Sequence, residues 1–323
     1  MKFNYKIFLS FVLILTVFSS CLFAKDNMRI TVKEGGEVIT GFKTADLADE
    51  VKITIAYSDS YMNKSSSRVP LIFLFDTQEY QLEDLKNMFR NVKNKKDSFD
   101  FVIASVRFKN ENISQEVFDK FIAEIFPFFE INYAAESEPS KRLILAKNNF
   151  ALLSLKSLNG AANYFLNLGM ILENTTSLPE INKSFKKQSR IFCFSQKENI
   201  LNLQNLFIYK SLEPLQNFFL KIEEKSSFEN FDLKYFLKEN PKIKQIKPIL
   251  KKEISQSEPF YLKIKTNYGD LDFFPTEIKF APPILGYDES SGFLQILLPE
   301  PLKIKISGIF AGKKWSKKVK IAK

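Results

Sequence analysis

Four unbroken apolar runs constrain this chain more than any other feature. They are "VPLIFLFD" (69–76), "DFVIASVRF" (100–108), "KRLILA" (141–146) and "QSRIFCFS" (188–195). Each has strand length, and all but "KRLILA" are rich in β-branched or aromatic residues. None has the polar alternation of a strand that faces water on one side, so these read as strands buried on both faces. Amphipathic stretches separate them. In "LEDLKNMFRNVKN" (82–94), Leu82, Leu85, Met88, Phe89 and Val92 recur at helical spacing. "SQEVFDKFIAEIFPFFEINY" (114–133) reads as a long helix with Ser114 as its cap. "NNFALLSLKSL" (148–158) starts another, and "ENILNLQNLFIYKSLEPLQNFF" (198–219) is helical until near Pro214. "FLKIEE" and "FENFDLKYFLKE" add a short strand and a final helix. This alternation predicts an α/β fold, a mostly parallel sheet with helices on both faces.

The two ends differ from the middle. Residues 1–24 read as a signal peptide: a basic "MKFNYK", an apolar "IFLSFVLILTVF", then small residues before the charged "KDN". Cleavage after Ala24 would release a soluble protein, whereas cleavage before Cys21 would expose a cysteine for lipidation, as in bacterial lipoproteins. Either route predicts export, to a periplasm or to a membrane-anchored position at the cell envelope. "MRITVKE" and "EVKITIAYS" then alternate with period two and read as an antiparallel pair, with Gly35-Gly36 as a hairpin turn. Residues 25–240 form the expected α/β domain. Residues 241–258 carry Pro and Lys with little periodicity and read as a linker. Residues 259–323 hold only short alternating segments between turn residues, which predicts a small all-β, sandwich-like module.

The chain has no histidine. No Ser-His-Asp or Cys-His arrangement can therefore be assembled. Transition-metal sites need His or Cys clusters, so none is expected, and no cofactor is expected. Besides Cys21 the only cysteine is Cys193, inside an apolar strand, which reads as a small buried hydrophobe with no disulfide partner. Ser184 and Lys187 have the spacing of a Ser-Lys dyad without its companion motifs. Asp270, Asp272 or Asp288 and Glu289 offer a calcium site as one reading, against the preferred one of solvated turn carboxylates. Phenylalanine is abundant, 34 residues against one Trp, and reads as compositional drift.

The net charge is +10, concentrated in the tail "KKWSKKVKIAK". Nucleic acid is not an expected partner, because an exported chain rarely meets it and no recognition motif is present. Two readings stand: a solvated lysine-rich strand face, or apposition to an anionic membrane surface or polymer.

Two segments together resemble a known family. "EVKITIAYSDSYMNKSSSRVPLIFLFDTQEY" looks like the entry strands of the esterase D-like α/β-hydrolases. "FIAEIFPFFEINYAAESEPSKRLILAKNNFALLSL" is similar to that family's helix, strand and nucleophile elbow. The resemblance spans roughly residues 50 to 240 and implies an α/β-hydrolase-like fold. It places Asn148 where the family has its nucleophilic serine, with Ala146, Phe150 and Ala151 at positions of its glycines. Its acid would match Glu198, and its histidine would fall at Ser226 or Ser227. Thr77, after Asp76, stands where the oxyanion region usually has Gly. An amide is no useful nucleophile, because its nitrogen lone pair is delocalised. Asn does tolerate left-handed backbone angles, so the turn can outlast its chemistry. Phe150 in a tight elbow predicts a relaxed corner.

The expected function is accordingly an exported, catalytically inactive esterase-like protein that binds an unknown ligand or envelope protein, or serves as a scaffold. Asp76, Thr77, Asn148, Asn149 and Glu198 are the residues expected to line its crevice. One alternative is a divergent ester hydrolase in which Glu198 or Asp76 activates a water. Another is a structural envelope protein that docks through its basic β-module.

Overall fold

The computed structural model describes residues 28–42, 51–57, 61, 68–93, 100–110, 112–160, 163–173, 178–213, 217–223, 225–231 and 233–237, and a set of strands between 247 and 322. The leader and Cys21 lie outside the described residues. The apolar runs become the middle of one nine-stranded sheet: β1 (Arg29–Lys33), β2 (Gly36–Phe42), β3 (Val51–Tyr57), β4 (Leu71–Phe75), β5 (Val102–Phe108), β6 (Arg142–Lys147), β7 (Asn167–Leu172), β8 (Arg190–Ser195) and β9 (Phe218–Ile222). Their order is β1-β2-β3-β5-β4-β6-β7-β8-β9. β1, β2 and β3 pair antiparallel, β3 meets β5 antiparallel, and everything from β5 to β9 is parallel. The helices are α1 (Leu82–Lys93), α2 (Gln115–Asn132), α3 (Asn148–Asn159), α4 (Lys197–Tyr209) and α5 (Leu233–Leu237). This is the expected α/β-hydrolase-like architecture.

Side-chain alternation along the strands divides the helices between the two faces. Phe73 and Phe75 of β4 meet Phe126 and Phe129, then Phe118 and Phe121, all from α2. On β9, Phe218 meets Phe207 of α4, while its neighbour Phe219 meets Tyr235 of α5. Adjacent strand residues point to opposite faces, so α4 and α5 cover opposite sides of the sheet. Phenylalanine is thus the main filler of this core: Phe42, Phe73, Phe75, Phe118, Phe126 and Phe150 are all fully buried. Whatever set the composition, packing uses it.

The "PFFEINY" motif also gains a structural reason. Glu130 of α2 pairs with the buried guanidinium of Arg142 at the start of β6. Arg142 also donates to the carbonyls of Glu136 and Tyr164 and lies 4.8 Å from the Phe126 ring centroid. A buried cation must have its donors satisfied. These partners lock the end of α2 to the entry of β6.

Several elements differ from expectation. β1 pairs with β2, across a hairpin in which Gly35 has φ 74°, and "EVKITIAYS" comes only third. β7 was not expected. It is interrupted by polar Asn167, whose amide donates to the carbonyls of Ser140 and Arg142, and by Gly169. A Cβ on Gly169 would meet Leu145 at 2.5 Å and the Phe231 ring at 3.0 Å, so close packing demands the glycine. α4 stops at Tyr209, short of Pro214, because Ser211 takes a left-handed φ of 70°. Within the last amphipathic stretch the described residues form a turn at Phe228–Asn230 and the five residues of α5.

Among the described residues the C-terminal module is all β, as expected. It contains β10 (Lys247–Ile249), β11 (Glu253–Ser255), β12 (Leu262–Thr266), β13 (Gly269–Phe273), β14 (Thr276–Ala281), β15 (Tyr287–Asp288), β16 (Phe293–Leu294), β17 (Leu302–Phe310) and β18 (Lys313–Ala322). They form sheets ordered β10-β12-β13, β11-β18-β17-β14 and β15-β16. The stretch read as a linker therefore contributes two short strands to the module. Asp272 is not a solvated turn carboxylate. It is buried on β13, and its Oδ2 accepts the Ile222 amide of β9 at 2.8 Å. That bond occupies a backbone donor on the last strand of the large sheet and ties the module to it.

Candidate functional site

In an open parallel sheet, ligands bind beyond the carboxyl ends of the strands, at the point where strand order reverses. Here β4 lies between β5 and β6, so the chain leaves β4 to one side and later returns on the other. Asp76 and the turn after β4 face Lys147 and Asn148 at the end of β6 across that point, since Phe75 is in register with Ala146. The register continues outward: Lys147 beside Ile171, Leu172 beside Ser195, Ser195 beside Ile222. The residues that follow those strands, Glu173, Gln196 and Glu223, complete the row.

Asn148 forms the corner between β6 and α3 and has φ 48°. The corner therefore keeps a sharp, left-handed turn, and the expectation of a relaxed corner is corrected. Phe150 does not crowd the turn, because its ring points into the core. It stacks on Phe108 at 5.5 Å and lies 6.3 Å from Phe75. The Asn148 side chain is also committed: its Oδ1 accepts the backbone amide of Glu173 at 2.9 Å. Asn149, next along, is exposed.

Around the corner the polar groups satisfy one another. The ammonium of Lys147 pairs with Glu173 at 2.8 Å, both about one-fifth exposed. The Ser226 amide lies 3.5 Å from the other Glu173 oxygen. The Ser226 hydroxyl donates to Glu223 at 2.9 Å, and Asn230 donates to the same oxygen at 3.3 Å. Burial alone would raise the Glu223 carboxyl. The hydrogen bonds from Lys221 and Ser226 outweigh it and hold the group below the ordinary carboxylate value. Ser227 is exposed and donates to Asn230 at 3.2 Å. Glu198 sits in the first turn of α4; its side chain lies outside the described residues.

The turn after β4 closes on itself. Buried Asp76 accepts the Thr77 amide at 2.7 Å on one oxygen and the Tyr80 hydroxyl at 2.9 Å on the other. Burial, then the Asp76 carboxylate beside it, push the Tyr80 phenol far above its ordinary value, so it stays a donor. The Thr77 amide, which the resemblance would place near an oxyanion hole, is already bonded within its own turn. An amide so engaged cannot stabilise developing charge on a substrate without breaking that bond.

Asp76, Thr77, Asn148 and Ser226 thus gather along one edge of the sheet. Four members of this row, Lys147, Glu173, Gln196 and Glu223, are absent from the sequence-based set, as is Tyr80. Glu173 was hidden because its strand, β7, reads poorly; the run "NLGMILE" ending in a carboxylate was the available signal. Elsewhere, the Ser184 hydroxyl lies 3.3 Å from that of Ser211, and both Ser184 and Lys187 are exposed. Cys193 is fully buried, and burial pushes its thiol well above the ordinary range.

No protein-family model matches the chain, and no curated protein matches it. Among solved structures it is similar to a ferulic acid esterase at 13% identity, with 45% of this chain and 60% of that one covered and a TM-score of 0.36. It is also similar to the esterase Est22 at 8% identity, covering 61% and 74%, with a TM-score of 0.43. A third is the siderophore hydrolase EstB from Aspergillus nidulans, at 11% identity, covering 52% and 71%, with a TM-score of 0.38. The chain spans 60% of the length of that ferulic acid esterase.

Proposed function

We propose that this chain is an exported binding protein of the cell envelope, built on an esterase-like α/β-hydrolase scaffold that does not perform acyl transfer. The observation that carries this reading is the corner at Asn148. It has the left-handed turn suited to presenting a nucleophile, yet it presents an amide held by the Glu173 backbone. The surroundings support the same reading. The position expected for a base holds Ser226, bonded to Glu223, and no imidazole exists anywhere in the sequence. The Thr77 amide is bonded to Asp76. Asp76 itself accepts two hydrogen bonds within its turn, which suits a structural carboxylate better than a base that must reach a water. The crevice edge retains the exposed polar residues Thr77, Asn149 and Ser227 with which to recognise a ligand or an envelope partner. The leader supports export, followed either by release or by lipid anchoring through Cys21.

A chromogenic short-chain ester assay tests this. Turnover by the purified protein should equal that of buffer, and Asn148→Ser should not raise it, since a hydroxyl without a base stays unactivated. Turnover above buffer that disappears in Asp76→Asn or Glu198→Gln would overturn the proposal in favour of a carboxylate-activated water.

A further inference from the structure

The lysines of the tail are not scattered. In the sheet β11-β18-β17-β14, the β17–β18 register sets Lys303 opposite Lys320 and Lys305 opposite Lys318. Ser307 faces Ser316, and Ile309 faces Lys314, on the same side of the ribbon. β14 adds Lys279, opposite Ser307. Lys279, Lys303, Lys305, Lys314, Lys318 and Lys320 therefore share one sheet face, and all six are exposed. The register also puts Glu253 of β11 beside Lys320. On the opposite face Ile306 is fully buried and Phe280 and Trp315 pack against the core, while Lys317, opposite Ile306, is exposed. The sheet is thus anchored on one side and presents a cationic plane on the other.

Like charges directly opposite in an antiparallel pair destabilise a sheet. The Lys305–Lys318 pair is a standing cost that an anionic surface would relieve. The charges are lysines, with no arginine at any of these positions, so they offer mobile point charges and lack the planar forks suited to one particular phosphate. The ribbon is roughly 30 Å long, judged from the rise of a nine-residue strand. Charges spread over three strands form a two-dimensional array, which matches a field of negative headgroups better than a single strand of polymer, which binds along a groove.

We infer that this lysine face docks the module on the surface of an anionic lipid bilayer. Charge complementarity and the spread of the lysines over three strands carry the inference, and it is independent of what the site at the strand ends binds.

The test is co-sedimentation of the full chain with vesicles of phosphatidylcholine alone or with 30% phosphatidylglycerol, the latter mixture being an arbitrary choice of about one anionic lipid in three. The leader, with Lys2 and Lys6 of its own, is common to parent and variants, so the comparison between them isolates the face. Binding should favour the anionic vesicles and weaken in high salt, because screening shortens the reach of the lysines. Lys303→Gln, Lys305→Gln and Lys318→Gln should each lower partitioning about fivefold, the factor expected per lysine near such a surface. The triple variant should lose the preference while keeping the circular dichroism and melting of the parent. Equal binding to both vesicles, or an unaltered preference in the folded triple variant, would overturn the inference. So would binding to a soluble polyphosphate with none to vesicles, since the face would then serve a polymer.

Discussion

Asn148 concentrates the logic of the molecule in one residue. Its φ of 48° lies where most side chains are strained, and Asn is among the few non-glycine residues that occupy it readily. The bond from the Glu173 amide then fixes its side chain. Conformation and hydrogen bonding can be separated by substitution. Asn148→Gly keeps the backbone free and removes only the bond, so urea denaturation should register a loss of about 1 kcal/mol. Asn148→Val removes the bond and forces a β-branched residue into a left-handed turn, and should cost about 1–3 kcal/mol more. Equal losses in the two variants would mean that the turn is unstrained. The corner residue itself was legible in the sequence, since strand, polar pair and apolar helix follow one another directly. Its partner was not. The Glu173 group that binds Asn148 is a backbone amide, and no residue type announces that.

Among the elements, those with continuous apolar runs were readable and those with polar or glycine interruptions were not. β4, β5, β6 and β8 fall where their runs fall. β7 escaped notice because Asn167 and Gly169 look like loop residues until their burial and neighbours are known. The β6–α3 unit carries a further lesson. Phe150 stands where the family resemblance expects a glycine, and the sequence alone suggested a spoiled turn. In the structure the turn and the ring do not compete, because the ring belongs to the phenylalanine cluster of Phe75, Phe108 and Phe118. Phe150→Ala should therefore lower stability by about 3–5 kcal/mol, the range for emptying a buried aromatic site, when followed by chemical denaturation. A loss below about 1 kcal/mol would mean that the ring is not a core residue.

At the scale of the whole molecule, the framework consists of the sheet order, the Glu130–Arg142 lock and the corner at Asn148 beside the reversal of strand order. The architecture was legible because burial writes itself into sequence as continuous apolar runs and periodic helices. The internal pairing of the crevice was not, because Lys147–Glu173, Ser226–Glu223 and Tyr80–Asp76 join residues far apart in sequence or on turns without periodic signal. The same limit applied to the lysine face, since a run of lysines shows charge while only strand register shows that the charges share a side. The central claim, that this scaffold cannot form an acyl- or phosphonyl-enzyme, has a direct test in intact mass spectrometry of the folded protein after exposure to an active-site organophosphonate. The expected result is an unchanged mass. A stoichiometric adduct mapping to the crevice, at Ser226 or Ser227 for instance, would contradict the account.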